Sequence, residues 1–134
     1  AWKNGGAFLN DKPIKVSQKE SLSDTLIATG FPYYDFERLE EFIGIIKSFI
    51  HKTRGLRRMG SAATDLAYVA CGRFDGFFEY GLSPWDVAAG VILVKEAGGV
   101  VCDYSLGDDY LFGGEIAATS AKIHLEFMEL IKAR

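Results

Sequence analysis

The order of strand-like and helix-like stretches predicts an α/β protein, with a mixed, mostly parallel sheet and helices on both faces. Three observations carry that prediction. From residue 18 onward, short apolar runs alternate with amphipathic stretches, and no internal repeat, low-complexity tract or interior linker interrupts them. The chain has 134 residues, enough for one ordinary domain with a real core. It is 49% hydrophobic and 25% charged, the profile of a folded globular protein.

In chain order, residues 5–17 read as two short strands around the turn Asn10-Asp11-Lys12-Pro13, a hairpin that is marginal alone and is expected to be loosely attached. Residues 25–30 form a short buried strand ending at Gly30. From Phe36 to Ile50 the residues Phe36, Leu39, Phe42, Ile43, Ile46, Phe49 and Ile50 recur at helical spacing, which predicts a helix covering one sheet face. A short strand over 52–59 carries Arg54, Arg57 and Arg58. A helix capped by Ser61 then runs to about Cys71 with Leu66, Val69 and Ala70 inward. Phe74 to Glu79 is a strand with its aromatics in the core. The helix after Ser83 is apolar nearly all round to about Ala97, so it is expected to be buried between layers. Residues 100–103 and 116–119 are two more buried strands, separated by an irregular loop. A last helix over about 121–132 turns Ile123, Phe127, Leu130 and Ile131 to one side.

Composition excludes some functions. A net charge of −3 and a pI near 5.4 argue against a general nucleic-acid surface, because displacing counterions from phosphates needs a basic excess. Cys71 and Cys102 have neither a redox-pair nor a zinc spacing and read as buried, reduced thiols of a cytoplasmic protein. His51 and His124 each stand alone, which argues against a histidine-based metal site. No apolar run approaches the roughly 18 residues a membrane span needs, and the opening residues do not show the charged, apolar, small-residue order of a signal peptide. The start at Ala1-Trp2-Lys3, without an initiator Met, is what a fragment or processed chain would show.

The chemistry concentrates between Glu79 and Gly90. Glu79 ends a strand at the edge where α/β sheets place ligands, although an exposed rim glutamate is the commoner use of that position. Ser83 can cap the next helix, Pro84 suits its first position, and Asp86 lies in its first turn, where the positive end of the helix dipole favours an anion. That geometry could hold a metal ion or a phosphate, or be only a capping box. Gly60-Ser61-Ala62-Ala63 would let a ligand approach backbone N–H groups, or simply permit close helix packing. The arginine run could meet an anionic substrate, a solvated edge or a subunit.

Gly60-Ser61-Ala62-Ala63, Gly72-Arg73-Phe74-Asp75-Gly76-Phe77-Phe78-Glu79, Pro84-Trp85-Asp86-Val87-Ala88-Ala89-Gly90 and Glu96-Ala97-Gly98-Gly99, at these spacings, resemble the carboxyl-terminal half of the inositol monophosphatase family. The likeness covers nearly the whole chain. It implies the carboxyl-terminal part of an αβαβα layered sugar-phosphatase fold, with residues 1–17 a strand pair belonging to an amino-terminal domain and 18–134 the carboxyl-terminal α/β domain. It also implies a Mg²⁺-dependent phosphomonoesterase, usually a cytoplasmic homodimer, acting on a phosphorylated polyol, sugar or nucleotide. Asp86 would be a metal carboxylate. Glu79 and the backbone of Ala62, with Ser61 beside it, would contact substrate hydroxyls, and Arg57 would lie near a subunit interface or an anion.

The family's motif Asp-Pro-x-Asp-Gly-Thr, and the earlier metal-holding Glu, are not in these 134 residues. The catalytic set is therefore expected to be incomplete in this chain, which would not hold its two or three Mg²⁺ ions firmly alone. The competing expectation is a non-catalytic interaction or dimerisation module that uses Arg54, Arg57, Arg58 and the hairpin.

Overall fold

Short runs rich in Ile, Val, Phe and Ala pair into a five-stranded sheet, in a computed structural model that describes residues 1–132. Two short strands come first, β1 (Phe8–Leu9) and β2 (Lys12–Pro13), paired antiparallel as a separate ribbon. The main sheet contains β3 (Leu26–Thr29), β4 (Gly55–Arg57), β5 (Gly76–Tyr80), β6 (Val100–Cys102) and β7 (Glu115–Thr119) in the order β4-β3-β5-β7-β6. β3 pairs parallel with both β4 and β5, while β7 runs antiparallel to its neighbours β5 and β6. Four strands thus share one direction and only β7 opposes them, so the sheet is mixed and mostly parallel.

The helices are α1 (Leu39–Lys52), α2 (Ala62–Ala70), α3 (Pro84–Glu96) and α4 (His124–Lys132). Chain handedness explains their sides. The β3-α1-β4 crossover steps one way across the sheet and β4-α2-β5 steps back past β3; with right-handed connections this puts α1 and α2 on opposite faces. Side-chain alternation along the strands supplies a core for each face. Ala28, Phe77, Val101 and Ala118 meet Leu66, Val69, Val87, Val91 and Val94 of α2 and α3. Ile27, Phe78, Cys102 and Ala117 meet Phe42, Ile45, Phe49, Phe127 and Ile131 of α1 and α4. On that second face the Phe49 ring stacks on Phe78 at 4.6 Å and meets Phe127 edge-on at 4.7 Å.

Four sequence expectations need correction. Helix α1 carries two adjoining apolar stripes, and the sheet takes Phe42, Ile45 and Phe49, so Ile43 and Ile50 stay exposed along with Phe36. Helix α3 is not enclosed: Val87, Gly90, Val91 and Val94 are buried, whereas Ala88 and Ala89 are exposed and Trp85 is 83% exposed, because these residues contain nothing to cover its outer side. The opening segment is pinned rather than loose. Ala7 and Val16 lie in the core, the Val16 N–H donates to the Ala97 carbonyl, and the Glu96 carboxylate accepts from the N–H groups of Asn4 (2.7 Å) and Gly6 (3.0 Å). Cys102 is buried as expected, but Cys71, at the end of α2, is only half-buried; both thiols are free.

Helices α2 and α3 lie against each other, and one glycine sets their separation. A methyl group at Gly90 would fall 2.4–2.5 Å from the Leu66 side chain, closer than packed atoms tolerate. Gly90→Ala is therefore expected to destabilise the fold by about 1–3 kcal/mol through overpacking, despite its higher helix propensity. Urea unfolding checks this; an unchanged or raised midpoint would show that Leu66 yields freely.

Candidate functional site

The parallel strands β3 and β5 end on the same edge of the sheet, and helices α2 and α3 begin there. That arrangement opens a cleft of about 530 Å³ whose lining includes Gly30, Arg58, Ser61, Ala62, Glu79 and Asp86. The amino end of α2 is shaped locally: Gly60 turns with φ +87°, a conformation few other residues adopt, and the Ser61 hydroxyl accepts from the Thr64 N–H at 3.3 Å. The N–H groups of Ala62 and Ala63, in the helix's first turn, have no carbonyl of their own helix to meet and border the cleft. At α3 the Asp86 carboxylate accepts the Ser83 N–H at 2.9 Å, half of a capping box, and holds the carboxylate at the helix start.

Glu79 is no rim residue. It lies in β5 opposite Ile116 and is only 6% exposed. Gly30 makes room for it, since a side chain there would begin 2.2 Å from the Glu79 Oε1. Burial pushes the Glu79 pKa from its ordinary 4.5 up to about 7; the charges of Asp65 and Asp86 push the same way, and Arg58 opposes. Asp65, in the first turn of α2, is 1% exposed, and neither of its carboxylate oxygens has a hydrogen-bond partner. Burial raises its pKa from 3.8 to about 6, again opposed by Arg58. Two desolvated carboxyls thus share one cation.

The structure brings together Ser61, Ala62, Glu79 and Asp86 and divides the arginine run. Arg58 turns into the cleft, where its Nη2 donates to the Tyr33 hydroxyl at 2.7 Å and its guanidinium lies over the Phe31 and Tyr33 rings. Arg54 and Arg57 line a different groove, described below. The segment 30–35 borders the cleft through Gly30, Pro32, Tyr33, Tyr34 and Asp35, whereas none of the residues of the loop 104–114 does. Sequence reasoning missed Asp65. Its signal was positional: on α2 an acid at 65 falls between Ala62 and Val69 on the helical stripe that otherwise faces the core.

Carboxylate oxygen is the donor a hard cation such as Mg²⁺ takes. Asp86 offers carboxylate oxygen beside the cleft, yet among the described residues no group of three or more His, Cys, Asp or Glu side chains could hold a metal ion.

Both raised pKa values lie above those of the unfolded chain, so the folded chain keeps protons that the unfolded chain has released. Their contribution to stability is whole below about pH 4 and is lost as pH rises through about 6 for Asp65 and about 7 for Glu79. Asp65→Asn and Glu79→Gln are each expected to stabilise the chain at pH 8, by on the order of 2–3 kcal/mol at most, and to flatten the fall of Tm between pH 4 and 7. Thermal unfolding across that range checks the sign; curves parallel to the unmodified chain would contradict it.

A family profile described as the inositol monophosphatase family matches residues 1–133. A protein of Neisseria meningitidis serogroup B named "Putative Nus factor SuhB" is 47% identical over 133 residues, covering 99% of this chain and 51% of that protein. An "Inositol-1-monophosphatase" of Synechocystis is 46% identical over 128 residues, covering 96% of this chain and 45% of its own. Among solved structures, the extragenic suppressor protein suhB from Bartonella henselae superposes with a TM-score of 0.94 at 39% identity, covering 98% of this chain and 50% of that one. An inositol monophosphatase from Anabaena gives 0.89 at 45% identity, covering 96% and 51%. The chain spans about half the length of the curated relatives it matches.

Proposed function

Since the chain belongs to the inositol monophosphatase family, we propose that it is the carboxyl-terminal, substrate-recognition half of a Mg²⁺-dependent phosphomonoesterase acting on inositol 1-phosphate or a related sugar or nucleotide phosphate. The observation that carries this reading is the convergence of Asp86, Glu79 and the N–H groups at the start of α2 on one cleft at the ends of parallel strands.

Each group has a task its environment suits. Asp86, with one oxygen engaged by the Ser83 N–H, turns a carboxylate toward the cleft as a ligand for Mg²⁺. When bound, Mg²⁺ supplies an activated water and stabilises the charge that builds on a phosphate ester during hydrolysis. Glu79 holds its proton to about pH 7, so near neutrality it can accept a hydrogen bond from a substrate hydroxyl or donate one. The Ala62 and Ala63 N–H groups and the dipoles of α2 and α3 favour a negatively charged group between them. Arg58, held over Phe31 and Tyr33, offsets the two buried carboxyls.

The division at residue 17 also belongs to this proposal: residues 1–17 complete an amino-terminal domain, and 18–134 form the carboxyl-terminal one. The exposed Trp85, Ala88 and Ala89 on the outer side of α3 support that reading, since in a layered fold a second sheet would cover them. The same proposal assigns the exposed stripe of Phe36, Ile43 and Ile50 to a homodimer contact, because an apolar stripe of that kind is covered in assemblies. No helix among the described residues is long and apolar enough to cross a membrane, and a cytoplasmic location is part of the proposal.

Relatives named for a Nus factor favour a second reading, in which this half is a non-catalytic interaction or dimerisation module. The two are separated by catalysis. With the amino-terminal half of the Synechocystis relative joined ahead of residue 1, Asp86→Asn should lower kcat for inositol 1-phosphate by roughly 100-fold or more while the circular dichroism stays unchanged. Unchanged turnover would remove Asp86 from the metal site.

A further inference from the structure

At the opposite end of the sheet, the residues preceding β3, β4 and β5 build a second groove of about 330 Å³, lined by Lys19, Leu26, Arg54, Arg57 and Arg73. Arg54 immediately precedes β4 and Arg73 lies three residues before β5. Arg57 ends β4 but folds back, its Nη1 donating to the Leu56 carbonyl at 2.8 Å. One carboxylate answers these four cations. Asp75, 1% exposed, accepts through Oδ2 from the Leu26 N–H at 2.7 Å and from the Lys19 Nζ at 3.1 Å, while its Oδ1 is buried without a hydrogen-bond partner. Arg54, Arg57 and Arg73 have no carboxylate within ion-pair distance among the described residues. In a chain of net charge −3, about three uncompensated positive charges converge on one concave surface.

Such a surface is matched by phosphate. Guanidinium groups present forked donors that fit phosphate oxygens two at a time, and each phosphate monoester carries about 1.5–2 negative charges at neutral pH. Two adjacent phosphates would balance the excess. A nucleic-acid strand fits less well: its bases need an aromatic platform, and the ring beside the groove, Tyr68, has its face covered by the Arg73 guanidinium at 4.9 Å. We propose that this groove binds a compact ligand bearing two or more adjacent phosphates, such as pyrophosphate or the tail of a nucleoside di- or triphosphate. The four residues of β3, at about 3.3 Å each, separate it from Gly30 and the cleft, so the two sites do not compete for one ligand. The inference does not rest on the phosphatase reading.

The test is calorimetric titration of the 134-residue chain with pyrophosphate, in a chelator and without Mg²⁺, so that any metal site in the cleft stays silent. Saturable binding to one site is expected, weakening as salt rises. It should be at least about tenfold tighter than for inorganic phosphate and at least about tenfold weaker in the triple variant Arg54→Gln, Arg57→Gln, Arg73→Gln. Arg58→Gln, in the cleft, should leave it unchanged. Circular dichroism confirms that the variants, all altered at exposed positions, keep their fold. Absence of binding, loss in Arg58→Gln with retention in the triple variant, or tighter binding of a single-stranded oligonucleotide at the same salt would each overturn the proposal.

Discussion

Helices α2 and α3 lie side by side with their amino ends at one cleft, and Gly90 is what allows α3 to rest against Leu66 of α2. That contact sets the distance between the start of α2, with its free N–H groups, and the start of α3, with Asp86. Beneath the cleft, Asp65 lies on the side of α2 that it shares with the buried Leu66, Val69 and Ala70. Its charge is one cause of the high pKa of Glu79.

A second glycine completes the constraint. Gly30, the first residue after β3, lets the Glu79 carboxyl lie against the neighbouring strand end, where a side chain would collide with it. Burial there is unfavourable for a charged carboxylate. The fold holds Glu79 at the end of a fully buried strand regardless, with Arg58 partly offsetting the charge. Destabilised, partly protonated carboxyls beside helix amino ends are the features expected of a site kept for chemistry rather than for stability. The groove at the other sheet end has the reverse balance, cations with too few carboxylates, so one small sheet separates an acidic edge from a basic one.

Much of the fold was legible because its signals are local. The strands at 26–29 and 76–80, the capped start of α2, and Pro84 with Asp86 opening α3 follow from apolar runs and capping residues that act within a few positions. What was not legible depends on partners distant in sequence. Helix α1 carries two equivalent apolar stripes, and only the presence of Phe78 and Phe127 selects Phe42, Ile45 and Phe49 over Ile43 and Ile50. The apolar girth of α3 reads as enclosure, yet nothing in these residues covers its outer side. At the site, Asp86 and Ser61 were visible as caps. The burial of Glu79 and Asp65 was not, because it arises from Gly30 and from helix packing. Nor could the run Arg54, Arg57, Arg58 reveal that the chain sends two of its members to one groove and the third to the cleft.

As proposed, this chain supplies recognition and one metal carboxylate to an active site whose remaining acids come from elsewhere. The most direct measurement is Mg²⁺-dependent phosphate release from inositol 1-phosphate, by the 134-residue chain alone and by the same chain joined to the amino-terminal half of the Synechocystis relative. Release is expected from the joined protein and none from the chain alone; turnover by the chain alone, or none from a folded joined protein, would overturn the proposal.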